Sequence, residues 1–272
     1  MSIEAKIIAD SISPGGVRLT TMQLRYPRLI HSELLTHRVH SKNSSSTRAI
    51  PTAKLADMAL TELVEPLYWG LNQPGMQSKT ECLEGEKLER AKAVWRNMAE
   101  VCAAGAKELS ELGLAKQWAG RPLEWFSHIS VILTSTEWDN FYELRCHAAA
   151  QPELEVLANA MRDAQNASTP TLLQNGEWHL PYVTAEDQSR IGDLDICKMI
   201  SAARCARVSY LKNDGTQPTI DEDVALYNRL VGSSPKHCSP VEHQATPQPD
   251  PCFWGGNFRG WLQHRQQIEG KD

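Results

Sequence analysis

The chain has 272 residues, 41% of them hydrophobic and 22% charged, which is the composition of an ordinary globular protein. Its formal net charge of −5 argues against the basic surface that broad binding to a nucleic-acid backbone requires, so no nucleic-acid partner is expected. The sequence contains no apolar run long enough to span a bilayer, and its start, Met-Ser-Ile-Glu-Ala-Lys, lacks the form of a secretory signal. We therefore expect a soluble, cytoplasmic protein with no membrane partner.

The first elements of the chain are two predicted strands, at residues 6–12 and 17–24, separated by the turn sequence Ser13-Pro14-Gly15-Gly16. The second strand is predicted to lead directly into a helix that holds His37, and the segment from there to about Lys79 is predicted to be irregular. Residues 86–112 carry apolar side chains at intervals of three and four, which predicts a long amphipathic helix ending at Gly113.

The second half of the chain continues the alternation of strands and helices. Residues 129–133 predict a buried strand, residues 139–145 predict a helix that resumes over residues 152–164, and residues 196–206 and 221–231 predict two further helices. A loop with turn-forming residues marks a candidate subdomain boundary near residues 166–195. Because no low-complexity linker separates the parts, we expect one elaborated unit over residues 1–272.

Cysteines and histidines do not form a recognisable metal site. The seven cysteines are scattered and form no C-x-x-C pair, which predicts reduced thiols rather than a disulfide framework or a zinc ribbon. His31, His37 and His40 lie close together, but no carboxylate or cysteine cluster accompanies them. No metal ion is expected.

The most informative stretch is Thr-His-Arg-Val-His-Ser-Lys-Asn-Ser-Ser-Ser-Thr-Arg at residues 36–48, where a predicted helical segment runs into a hydroxyl-rich loop. Guanidinium groups bind phosphate oxygens bidentately, and serine hydroxyls and turn N–H groups add short neutral donors around the same anion. The segment therefore suits a phosphorylated ligand, although such polar runs are also common in solvated loops.

Three groups of residues resemble the motifs of flavin-dependent thymidylate synthases. Thr36-His37-Arg38, followed at the expected interval by Ser46, is similar to the family's Arg-His-Arg, seven residues, then Ser. Residues 140–145 (Asn-Phe-Tyr-Glu-Leu-Arg) and 150–153 (Ala-Gln-Pro-Glu) are similar to its Asn/His-Phe-x-x-Leu-Arg and Ala-Gln-x-Glu segments. Residues 206–210 and 237–243 look like its Ala-Arg-Val-Ser and Gly-His-x-Ser/Thr-Pro-Phe-Glu-His elements.

The order of these motifs is unusual. The elements at residues 206–210 and 237–243 precede Arg-His-Arg in the usual family order but follow it here, and residues 257–265 look like a second, degraded copy of the approach to Arg-His-Arg. The chain is therefore identified as a rearranged or partly duplicated member. The resemblance implies an α/β (α+β) fold with a mixed sheet and long helices, in a homotetramer. It also implies that NADPH reduces FAD, that methylenetetrahydrofolate supplies a one-carbon unit, and that dUMP accepts this unit at C5.

The resemblance also implies roles for individual residues. Arg145 engages and polarises the uracil, because an oriented positive charge stabilises developing enolate-like density, and Arg145 and Ser46 are the catalytic candidates. The flavin contacts implied are His37, Arg38, Asn140, His237, Ser239 and Glu242. The nucleotide contacts implied are Ser44, Ser45, Ser46, Arg48 and Arg145, with Arg121 as a looser candidate for the phosphate.

Several positions depart from the family pattern, and they keep other functions open. Arginine is the family residue at positions 36 and 136, where this chain has threonine, and Arg259 or Arg265 could replace these two cations. One alternative is hydroxymethylation of dUMP or dCMP, which uses the same one-carbon donor and ends with water addition. The other is a non-catalytic nucleotide-binding protein that kept the phosphate site. The departures are Thr36 for Arg, Ser44 for an acidic residue, Ala49 for Tyr and Thr136 for Arg.

Overall fold

A mixed β-sheet forms the centre of the computed structural model, which describes residues 3–75, 79, 81–212 and 214–270. Its strand order is β3-β4-β2-β1-β5, with β5 parallel to β1 and the other pairs antiparallel. The expected α/β fold with a mixed sheet and long helices is confirmed. The strands are β1 (Glu4–Ile12), β2 (Arg18–Pro27), β3 (Ser41–Ser44), β4 (His128–Ser135) and β5 (Thr171–Leu172).

Helices connect these strands and cover the sheet. None of the helices in the described part of the chain is long and apolar enough to cross a membrane. The helices are α1 (His31–Leu35), α2 (Thr52–Thr61), α3 (Gly85–Glu111), α4 (Lys116–Ala119), α5 (Asp139–Arg145), α6 (Pro152–Ala167), α7 (Ala185–Ile191), α8 (Leu194–Arg207), α9 (Ile220–Val231) and α10 (His264–Glu269).

The main core lies between the sheet and the α5–α6 pair. Alternate residues of β2 and β4, such as Met22, Leu24 and Val131, point toward Phe141 and Leu157 on the two helices, and all are buried. Each fully buried side chain of this size contributes roughly 1.5–3 kcal/mol. This packing places the end of α5 beside the edge of the sheet.

Most of the predicted elements are confirmed. The strands at residues 6–12, 17–24 and 129–133 and the helices at 139–145, 152–164, 196–206 and 221–231 all appear, with bounds within three residues of those predicted. The long helix at residues 86–112 is α3, and Gly113 follows it with a φ of 85°, the left-handed conformation that ends helices. The seven cysteines all carry free thiols.

Three local predictions were wrong. The helix expected to hold His37 ends at Leu35, and Ser41–Ser44, expected in a loop, is strand β3 paired with β4. These polar residues have little strand propensity, so pairing with a buried strand decides their conformation. The segment expected to be irregular contains α2, whose Ala, Leu and Met residues after Pro51 are good helix formers.

The C-terminal part of the chain packs against the first sheet through a second, smaller sheet of order β6-β9-β7-β8. The Trp261 indole is fully buried and donates to the Val17 carbonyl over 3.1 Å. Contacts of this kind join the chain on the two sides of the boundary predicted near residues 166–195. The strands are β6 (Ala245–Pro247), β7 (Trp254–Gly255), β8 (Phe258–Arg259) and β9 (Trp261–Gln263).

Candidate functional site

The turn between α1 and β3 carries His37, and Arg145 from the last turn of α5 reaches it. The Arg145 Nε donates to the His37 Nε2 over 2.9 Å. The rings of His37 and Phe141 form a T-shaped contact, with centroids 4.9 Å apart, and the His37 ring stacks on His40. Two residues that are 108 positions apart in sequence, from separate motifs, are thus in direct contact.

The electrostatics of this turn keep its histidines neutral. Burial lowers the pKa of His37 to about 4, and the charges of Arg145 and Lys42 act in the same direction. Burial likewise lowers the pKa of His40 to about 3, and the His40 Nε2 hydrogen-bonds to the Glu137 carbonyl over 3.1 Å. At neutral pH both rings are therefore uncharged hydrogen-bonding groups.

Lys42 on β3 is a site residue that sequence reasoning missed. Its ammonium group donates to the His37 carbonyl. Burial lowers the pKa of Lys42 to about 8, although the nearby Glu242 carboxylate favours the charged form. The available signal was a lysine inside the hydroxyl-rich segment, and only the pairing of β3 with β4 turns its side chain toward His37 and Glu242.

The C-terminal motif segments meet β3 directly. The Ser41 hydroxyl accepts hydrogen bonds from Asn257 Nδ2 at 3.2 Å and from Gln263 Nε2 at 3.0 Å. Gln263 Nε2 also donates to the Glu242 carbonyl over 2.8 Å. Residues 242, 257 and 263, from the segments expected to stand out of the usual motif order, therefore lie around the strand that follows His37 and Arg38.

The residues predicted to hold a phosphate lie just beyond β3. Ser46 caps a short 3-10 helix, and its hydroxyl accepts from the Arg48 backbone N–H at 3.3 Å and from Arg48 Nε at 3.4 Å. The Ser45 hydroxyl instead accepts from the Ser130 N–H over 3.1 Å, which ties it to β4. Ser44 and Arg48 are exposed.

Arg121 reaches this region through a shared carboxylate. Its Nη1 donates to Glu124 Oε1 over 2.9 Å, and the Thr47 hydroxyl donates to the same oxygen over 3.0 Å. Arg121 therefore lies near Thr47, the residue between Ser46 and Arg48 in the chain. The Glu124 carboxylate offsets part of the positive charge of Arg121. It also interacts with Arg28, whose Nη1 lies 3.9 Å from Glu124 Oε1.

Four other predicted site residues make no side-chain hydrogen bond to the residues described above. Arg38, Asn140, His237 and Ser239 are exposed, and within the described ranges no side-chain hydrogen bond joins them to the residues above. The two arginines considered as replacement cations already have partners: Arg259 Nε donates to Glu137 over 2.8 Å, and Arg265 pairs with Glu242 and Glu269. Burial raises the pKa of Glu242, against the opposing effect of Arg265.

A cleft of about 1110 Å³ opens beside Arg145. Gln151 and Glu153 of the Ala-Gln-x-Glu segment line it, together with the exposed ring of Trp125. A cavity of this size with a few convergent polar groups is typical of small-molecule sites. Among the residues that the structure describes, no group of three or more His, Cys, Asp or Glu side chains is arranged to hold a metal ion.

These features define a class of protein: an α/β protein with a mixed sheet, a cleft lined by side chains of both charges, Arg145 among them, and a separate loop of arginine and serine. The family described as thymidylate synthase complementing protein matches residues 15–171. The chain belongs to this family, and the resemblance found in its motifs is confirmed. The matched range includes His37, Ser46 and Arg145, whereas the reordered motifs at residues 206–265 lie outside it.

Two solved structures are similar to this chain over 60% of its length. Both are of a UMP/dUMP methylase, PolB, from Streptomyces cacaoi. The form bound with 5-Br UMP has 19% sequence identity, 88% coverage of that chain and a TM-score of 0.45. The form bound with 5-Br dUMP has 17% identity, 89% coverage and a TM-score of 0.47. No curated protein sequence matches the chain.

Proposed function

We propose that the protein transfers a one-carbon unit from methylenetetrahydrofolate to C5 of dUMP, with NADPH-reduced FAD giving dTMP. The observation that supports this proposal is the convergence of three separated segments, residues 36–48, 140–145 and 257–265, on the turn at His37 and the strand β3 that follows it. Arg145 contacts His37, while Asn257 and Gln263 contact Ser41 four residues later. Family membership supplies the reaction class, and the convergence supports retention of a working site despite the reordered motifs.

In this proposal the nucleotide lies between residues 44–48, which we call the phosphate loop, and the cleft. Ser46, Arg48 and Arg121 hold the phosphate through charge-assisted hydrogen bonds. Arg145 faces the cleft and engages the uracil, where its fixed positive charge stabilises the negative charge that develops on the ring. Ser44 is exposed at the end of β3 and free to contact the same ligand, whereas Ser45 acts through its hydrogen bonds to Ser130.

The flavin assignment agrees with the kinds of side chain that the chain presents. Arg38, Asn140, His237 and Ser239 are exposed donors, which suits contact with an anionic cofactor outside the chain's own core. Glu242 is partly buried and paired with Arg265, so we propose that it orients this surface rather than touching the cofactor. When bound, a flavin would supply hydride transfer. A homotetramer is proposed as well, with light scattering as its test.

The test is an anaerobic incubation of the protein with dUMP or dCMP, FAD, NADPH and methylenetetrahydrofolate, followed by mass spectrometry of the nucleotides. Formation of dTMP from dUMP supports the proposal, and Arg145→Ala should abolish it. A hydroxymethyl product would assign the protein to the alternative reaction. Unchanged nucleotide, together with dUMP binding and no retained flavin, would indicate a non-catalytic binding protein.

A further inference from the structure

The family resemblance assigns His37 to the flavin, but its imidazole is already engaged within the chain. Nε2 accepts the Arg145 Nε–H over 2.9 Å. An arginine side chain has five N–H donors, and this contact uses only the one at Nε. The two terminal NH2 groups, which form the fork that binds planar ligands, make no hydrogen bond to the residues that the structure describes, and Arg145 lines the cleft.

We propose that His37 is a positioning residue for Arg145, fixing the direction in which the guanidinium enters the nucleotide cleft. The inference rests on the proposed function and adds to it a residue that determines the geometry of uracil recognition. It requires His37 to accept at Nε2, and therefore to carry its proton at Nδ1. The neutral state of His37 at physiological pH agrees with this requirement.

The surroundings of His37 are built to hold the ring still. Phe141 forms a T-shaped contact with it, at an interplanar angle of 86°, and Phe141 is itself buried in the main core. Lys42 fixes the backbone of the same residue by donating to its carbonyl. Because Phe141 and Arg145 lie on the same short helix α5, one core residue and one charged residue of that helix contact one imidazole from two directions.

The geometry places two requirements on the side chain at position 37, one for hydrogen bonding and one for packing. An acceptor must lie where Nε2 lies, and a flat ring must fill the space against Phe141. Glutamine keeps an acceptor oxygen at a similar reach, whereas phenylalanine keeps the ring and loses the acceptor. These two substitutions separate the hydrogen bond from the packing.

The experiment measures dUMP affinity by calorimetry on the full-length protein freed of flavin, so that flavin contacts cannot contribute. We expect His37→Phe to raise the Kd at least about tenfold, the loss typical of a charge-assisted contact, and His37→Gln to restore most of the affinity. Arg145→Ala should weaken binding, and adding His37→Phe to it should cause little further loss. His31→Phe is the matched control, because His31 bonds to Tyr26 and does not touch Arg145.

Three outcomes are decisive. Non-additive losses with rescue by glutamine support the positioning role, since a general loss of folding would not be restored by one acceptor atom. Wild-type affinity in His37→Phe, or losses that add in the double variant, would overturn it while leaving the proposed function intact. Failure of the wild-type protein to bind dUMP would overturn the proposed function and this inference with it.

Discussion

Two buried histidines should make the protein sensitive to mild acid. His179 bonds to Ser11 through Nδ1 and to Thr21 through Nε2, both at 2.8 Å. The Thr21 hydroxyl bonds to Thr134 at 2.7 Å, and Thr134 bonds to His243 Nδ1 at 2.8 Å. The two imidazoles are 1% and 0% exposed, and burial lowers the pKa of each from 6.5 to about 3.

The sign of the effect follows from the two states of the chain. In the unfolded chain these histidines take up protons below about pH 6.5, whereas in the folded protein they stay neutral until about pH 3. Their contribution is therefore complete above pH 6.5 and is lost progressively as the pH falls toward 3. In that window each histidine lowers the free energy of unfolding by about 1.4 kcal/mol for each unit by which the pH falls, or by about 2.5 kcal/mol on going from pH 7 to 4.5.

The assay is urea unfolding at constant ionic strength between pH 7.5 and 4.5. Replacing His179 by Gln removes one titrating group, so the free energy of unfolding of His179→Gln should fall with decreasing pH less steeply than that of the wild type. The expected difference in slope is about 1.4 kcal/mol per pH unit. His147→Gln is the matched control, because solvent reaches that exposed ring in both states. Equal slopes in the wild type and His179→Gln would refute the reasoning.

Three further predictions concern the phosphate loop, a buried ion pair and the end of α3. Arg48→Ala should weaken dUMP binding by about 1.5–3 kcal/mol in calorimetry, whereas Arg190→Ala, at an exposed position of α7, should leave it unchanged. Asp223→Ala should lower the free energy of unfolding by about 3–5 kcal/mol, because buried Asp223 pairs with two arginines of α8; a loss below 1 kcal/mol would contradict this. In thermal melts Gly113→Ala should destabilise by roughly 1–2 kcal/mol, since a left-handed residue gains a Cβ, and Gly105→Ala inside α3 should stabilise instead.

Local sequence patterns were sufficient for most of the secondary structure. The apolar spacing of α3, the Gly113 stop and the turn at residues 13–16 depend on neighbouring residues alone, and each was predictable without knowledge of the fold. The same applies to the motif groups, because spacing along one loop or helix is retained whatever the order of the segments. His37, Ser46 and Arg145 could be named from the sequence for this reason.

Contacts between distant segments were not predictable. Strand β3 is polar and becomes a strand only because β4 lies beside it. Arg259 and Arg265 are ion-paired because the fold brings Glu137 to the first and Glu242 to the second. The sequence alone determined which chemical groups the protein carries and in which local elements they lie. The tertiary structure decided which of them meet, because hydrogen bonds and burial depend on distances in space that sequence separation does not determine.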